Sequence, residues 1–176
     1  MRHVILKGIS SQLVSACERV NAGLPTVMTT TSAYIAIGTS QGLVLVFDGH
    51  QALKFSLGSG GGIVSGGGGD HESSGGGGGG AVSSMAFNPE SSRLLVGYAK
   101  GHIVEFDLTS GKQTMVLDEA HPPGSAVIHT KFTDDPSVAI ICDSGGSVYE
   151  VETNCTFAIN CFPFKNMVSI GSNLTH

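Results

Sequence analysis

Catalysis by a serine or cysteine nucleophile needs a base beside it and an acid that orients the base. Candidate bases are seven histidines: His3, His50, His71, His102, His121, His129 and His176. Candidate thiol nucleophiles are Cys17, Cys142, Cys155 and Cys161. No nucleophile elbow accompanies them, and Ser144 stands in Asp143-Ser144-Gly145, which reads as a hairpin turn. His121 precedes Pro122-Pro123-Gly124, a connection where a structural hydrogen bond is the expected role. Zinc wants cysteines and histidines at close, paired spacings. Cys155 and Cys161 have five residues between them, with Cys142 upstream and no adjacent pair. Buried or half-exposed thiols are the simpler reading, and a Cys155–Cys161 disulfide would require an oxidising compartment.

A phosphate loop needs Gly-x-x-x-x-Gly-Lys-Ser/Thr so that backbone amides and the lysine hold the anion. Gly111-Lys112 is followed by Gln113, and the position five before Gly111 is Phe106, so the pattern fails twice. Dinucleotide-type spacings can be drawn within Gly58 to Gly80 only because 14 of those 23 residues are glycine. With no strand and helix around it, the tract reads as linker. The acidic pairs Asp118-Glu119 and Asp134-Asp135 read as solvated turns, the second reinforced by Pro136. Acidic contacts to a basic patch on a partner are the functional alternative. Glycosylation sequons at Asn154-Cys155-Thr156 and Asn173-Leu174-Thr175 matter only in a secreted chain. The residues thus assign no catalytic, cofactor-binding or metal-ligating position, and no cofactor is expected.

What, then, do the elements of this chain position? Of its 176 residues 40 % are hydrophobic and 13 % charged, which argues against global disorder. The net charge of −5 offers no basic footprint for nucleic acid or an anionic membrane. Apolar runs such as Leu43 to Phe47 and Val138 to Cys142 are strand-sized, too short to span a bilayer. Met1 to Ser10 lacks the apolar core of a signal peptide, so a cytosolic chain with reduced thiols is expected.

Three thirteen-residue segments align without gaps: 36–48, 95–107 and 140–152. Each is an apolar run, a small or polar turn ending in Gly42, Gly101 or Gly146, a second apolar run and a closing acid. That is the pattern of a β-hairpin whose turn glycine takes positive φ. Met28, Phe87 and Phe132, each eight residues upstream, mark a preceding strand. Gln113 to Leu117, after the turn Ser110-Gly111-Lys112, marks a fourth. The 45 residues from Leu95 to Ile140 match the period of a propeller blade. The first interval is 59, and it contains the glycine tract, placed on the connection after the strand Ala52 to Leu57. The fold class is therefore all-β: a partial WD-like β-propeller of about three four-stranded antiparallel blades. The blades fall near 24–57, 81–118 and 125–165, with a disordered Gly/Ser-rich insert at 58–80 and a divergent tail at 153–176. Three blades and part of a fourth after Asn154 cannot close a ring, so the expectation is a fragment or truncated form of a larger propeller. Ahead of the blades, Ser10 to Asn21 has helical spacing of Leu13, Val14, Cys17 and Val20, with a strand as the alternative.

The Trp-Asp of ordinary WD repeats is replaced by Phe47-Asp48, Phe106-Asp107 and Val151-Glu152. The acid usual before the hairpin glycine is replaced by Gln41, Lys100 and Gly145. Longer strings are more specific: Ala22 to Thr26, Ile35 to Asp48, Ala99-Lys100-Gly101, Ala120 to Gly124, Lys131 to Pro136 and Asp143 to Val148. On these the chain resembles the vacuolar protein sorting-associated protein 8 family, over roughly Met1 to Val151 without the glycine tract. The resemblance implies a non-catalytic interaction scaffold, the N-terminal propeller of a CORVET subunit in endosomal tethering and vacuolar or lysosomal transport. It implies other tethering subunits and an early-endosomal Rab-type GTPase as partners. It also implies a cytoplasmic location peripheral to endosomal membranes, reached through partners only. A propeller-based hydrolase and a truncated product without independent function are the alternatives.

Overall fold

A computed structural model describes residues 5–58, 79–117, 121 and 124–153, and the backbone of 168–169. After one helix, α1 (Lys7–Val20), the chain forms three four-stranded antiparallel sheets. The first is β1 (Pro25–Thr30), β2 (Tyr34–Thr39), β3 (Val44–Asp48) and β4 (Leu53–Leu57). The second is β5 (Val82–Phe87), β6 (Arg93–Tyr98), β7 (Ile103–Asp107) and β8 (Gln113–Leu117). The third is β9 (Val127–Phe132), β10 (Val138–Asp143), β11 (Ser147–Glu152) and β12 (Val168–Ser169). In every sheet, spatial order follows chain order. The fourth strand of the third sheet thus falls beyond residue 165, where the sequence pattern ends the blade. Most of the 58–80 insert and of the 153–176 tail lies outside the described residues.

The three hairpins predicted from the repeat are β2–β3, β6–β7 and β10–β11. Their turn glycines Gly42, Gly101 and Gly146 have φ of +85°, +91° and +88°, the region that a side chain disfavours. The closing acids of the first two have a local use. Asp48 Oδ1 accepts the amides of His50 (2.8 Å) and Ala52 (3.0 Å), and Asp107 Oδ1 accepts that of Thr109 (2.9 Å). Each shapes the turn into the outermost strand, the Asx chemistry of tight turns.

The sheets stack face to face. Between the first and second lie Ala36, Val44, Val46 and Leu57 against Val82, Leu94, Val96 and Phe106. Between the second and third lie Leu95 and Ile103 against Val127, Ala139, Ile141 and Val151. The alternation of strand side chains sends odd and even positions to opposite faces, so the second sheet serves a core on each side.

The remaining face of the first sheet (Ile37, Leu43, Leu45, Phe47) is covered by α1 through Ile9, Leu13 and Ala16. The helix begins three residues earlier than its apolar spacing predicts and excludes the strand alternative. Its own N-cap residue, Leu6, contributes no side-chain bond. The cap comes instead from Gln51 in the β3–β4 turn, whose Oε1 accepts the Gly8 amide at 2.9 Å. Asn21 ends the helix in the left-handed conformation.

Candidate functional site

Two buried polar clusters sit at opposite ends of the joint between the second and third sheets. One is built on Asp143, the last residue of β10, in the position held by Thr39 and Tyr98 in the other blades. Its Oδ1 accepts the Ser147 amide at 2.9 Å, closing the β10–β11 hairpin. Its Oδ2 accepts the Tyr149 hydroxyl at 3.1 Å and lies 3.2 Å from His121 Nδ1. The imidazole meets the Tyr149 ring edge-on, with centroids 4.6 Å apart. Neither His121 nor Asp143 exposes any side-chain surface.

Burial depresses the basicity of His121 more than the neighbouring carboxylate raises it. Burial alone would raise the Asp143 pKa, but the Ser147 amide, the Tyr149 hydroxyl and His121 outweigh it and hold the carboxyl below its ordinary value. Both shifts describe one state: a neutral imidazole donating Nδ1–H to a carboxylate. His121 Nε2 is buried without a hydrogen-bond partner among the described residues.

The second cluster joins Arg93 at the start of β6 to the far side of the joint. Its guanidinium donates to Thr153 Oγ1 (2.9 Å), to the Thr153 carbonyl (3.3 Å) and to the Pro136 carbonyl. Glu105, 1 % exposed, lies 3.6 Å from Arg93 Nη1 and accepts the Thr114 hydroxyl at 3.0 Å. Desolvation raises the Glu105 pKa, while Arg93 and the hydroxyls of Thr114 and Thr153 oppose it.

A histidine oriented by an aspartate is half of a hydrolytic triad. Here the second ring nitrogen is buried, and no nucleophile pairs with it among the described residues. The pair locks the connection between two blades, the structural hydrogen bond expected of His121. Of the other candidates, His50 and His129 are exposed, and Cys17 lies exposed on α1. Cys142 is half-buried on β10. Ser144 is a turn residue, its Oγ accepting the Ala126 amide at 2.9 Å. Asp135 likewise holds its turn, accepting the amide (2.9 Å) and hydroxyl (2.6 Å) of Ser137. No group of three or more metal-ligating side chains comes together among the described residues. His3, His71, His176, Cys155, Cys161, the Asp118-Glu119 pair and the asparagines of both sequons lie outside the described residues.

Asp143, Tyr149, Arg93 and Glu105 are the residues that motif reading missed. One signal was present: aligning the hairpins puts an acid, Asp143, where the others have Thr39 and Tyr98.

Stacked, four-stranded antiparallel blades joined in chain order define a β-propeller architecture. Solved structures agree in fold. The Cps50 (Swd1) β-propeller domain of Myceliophteria thermophila superposes with a TM-score of 0.57 at 13 % identity, covering 75 % of this chain and 36 % of that one. The computationally designed Ika4 protein gives 0.54 at 18 %, covering 73 % and 65 %. The profile of the Vps8 beta-propeller matches residues 1–170, and the chain belongs to that family. Vacuolar protein sorting-associated protein 8 homologs of Mus musculus and Homo sapiens are 52 % and 51 % identical over 151 and 153 residues. The Drosophila melanogaster homolog is 39 % identical over 151. Each match takes in 86 % of this chain, which spans about a tenth of the length of these relatives.

Proposed function

We propose that this chain is a non-catalytic protein-interaction scaffold, the propeller portion of an endosomal tethering subunit of the CORVET type. It serves vesicle tethering and fusion and vacuolar or lysosomal protein transport. The observation that carries this reading is the 52 % identity over 151 residues to a vacuolar protein sorting-associated relative. The geometry is in keeping with it, since the buried polar groups brace a joint and leave the blade-end loops free to present side chains. Other tethering subunits and an early-endosomal Rab-type GTPase are the proposed partners, and the proposed location is cytoplasmic, at endosomal membranes through those partners. Among the described residues no helix is long and apolar enough to cross a membrane.

The test is a pull-down of early-endosomal Rab proteins by this chain and by a full-length family protein, each Rab loaded with GTP or GDP. GTP-dependent capture is expected. Failure of both baits to distinguish the nucleotide states would remove the Rab role.

A further inference from the structure

The two joints inside the stack share one construction. In the first strand of each sheet one residue bulges out of register: Thr26, Ser83 and Ile128. Thr26 Oγ1 donates across the joint to the Val82 carbonyl (2.6 Å) and lies 3.2 Å from the Gly38 carbonyl of its own sheet. Ser83 Oγ reaches the carbonyls of Val127 and Gly97 in the same way. Opposite each bulge stands a strand glycine on which the next blade's valine sits flush. A Cβ on Gly38 would come within 2.5 Å of Val82 Cγ1, and one on Gly97 within 2.3 Å of Val127 Cγ1. Either contact would force the valine to shift, so each joint closes this tightly because its glycine lacks a side chain.

The third sheet breaks both rules at once. Its bulged residue, Ile128, has no hydroxyl and is 44 % exposed. The position in register with Gly38 and Gly97, next to the bulge, is Cys142. Cys142 and its strand partners His129 and Val148 alternate with Ile141, Thr130 and Tyr149, so they belong to the face turned away from the second sheet. A cavity of about 420 Å³ along β9 opens onto that face at His129, Lys131, Ile140 and Cys142 and continues around the strand to Thr130, Phe132, Thr133 and Asp134.

We infer that the third sheet receives its next neighbour through a joint of inverted shape, in which the Cys142 side chain projects into a gap left by a glycine or alanine of that neighbour. The occupant is a further blade-like sheet of the longer family proteins. It continues the register of the two joints already built, and this chain accounts for only about a tenth of its relatives' length. A valine placed as Val82 and Val127 are would overlap Cys142, so the incoming first strand must carry a smaller residue there.

The experiment uses this 176-residue chain and the full-length mouse relative with residues 5–153 of this chain grafted into the matched segment. Peptide-resolved alkylation of Cys142 by a maleimide should be at least tenfold slower in the graft. Equal rates would overturn the proposal, and protection that rises with concentration of the short chain would replace the blade with a second copy. Cys142→Gly separates the two joint shapes. Loss of the projecting side chain should speed amide exchange in β9 and β10 of the graft and leave the short chain unchanged. Slower or unaltered exchange in the graft would mean a flush joint or none, and would sink the idea. Should the graft carrying Cys142→Gly fail to fold, the alkylation rates of the unsubstituted proteins decide.

Discussion

At the scale of single residues, the His121–Asp143–Tyr149 cluster makes the sharpest claims. The folded state holds the His121 pKa below its ordinary 6.5, so the unfolded chain takes up a proton first as pH falls. Stability is therefore full above about pH 6.5 and declines below it, and the depressed Asp143 pKa adds a further loss at strongly acid pH. Urea midpoints measured from pH 7.5 to 5.5 should fall for the native sequence and fall less steeply for His121→Asn. Asp143→Ala removes the acceptor of three groups inside the protein and should cost about 3 kcal/mol in urea denaturation at pH 7. An unchanged midpoint would mean that the cluster does not brace the joint. This cluster was the least legible part of the sequence. His121 and Asp143 are 22 positions apart, and the acid sits two residues before the place where a WD repeat would put it. Arg93 and Thr153 are 60 apart, beyond any local pattern.

Strands and turns were far easier to read, because their causes are local. A two-residue alternation and a turn glycine leave little choice of register, and the thirteen-residue repeat marks all three hairpins. The start of α1 was not readable, since its cap is Gln51, 43 residues away. Gln51→Ala should therefore destabilise the chain by about 1 kcal/mol, seen as faster amide exchange confined to the first turn of α1. Exchange spread evenly over the helix would point to lost packing instead. Gly38 and Gly97 also looked like ordinary strand residues, for only the stacked partner reveals why no side chain fits. Gly97→Ala should cost about 1–3 kcal/mol by forcing Val127 aside. Val127→Ala in the same chain should recover part of that loss, and a double-mutant cycle in urea measures the coupling.

For the molecule as a whole, the connection between blades sets how far the chain can vary without loss. Nine residues, 118–126, suffice to pass from β8 to β9, whereas 24, 58–81, join β4 to β5. Shortening the longer connection to nine should change stability by less than about 1 kcal/mol, because closure entropy depends only on the logarithm of length. Thermal melts of the shortened chain check this, and a loss of several kcal/mol would show that the tract makes contacts worth keeping. The family of the chain was legible in its longer strings, while the kind of joint it offers on its third sheet was not, because Cys142 becomes conspicuous only beside Gly38 and Gly97.

The position of α1 has a consequence for synthesis on the ribosome. The helix that shields Ile37, Leu45 and Phe47 lies upstream of them, so it leaves the exit tunnel before they do. The apolar side of the first blade is met by its shield as it emerges, with no wait for distant chain. The opposite side must wait for the second blade, 24 connecting residues later. Nascent chains halted once Leu57 has cleared the tunnel, with the second blade still inside it, should therefore be sticky on one side only.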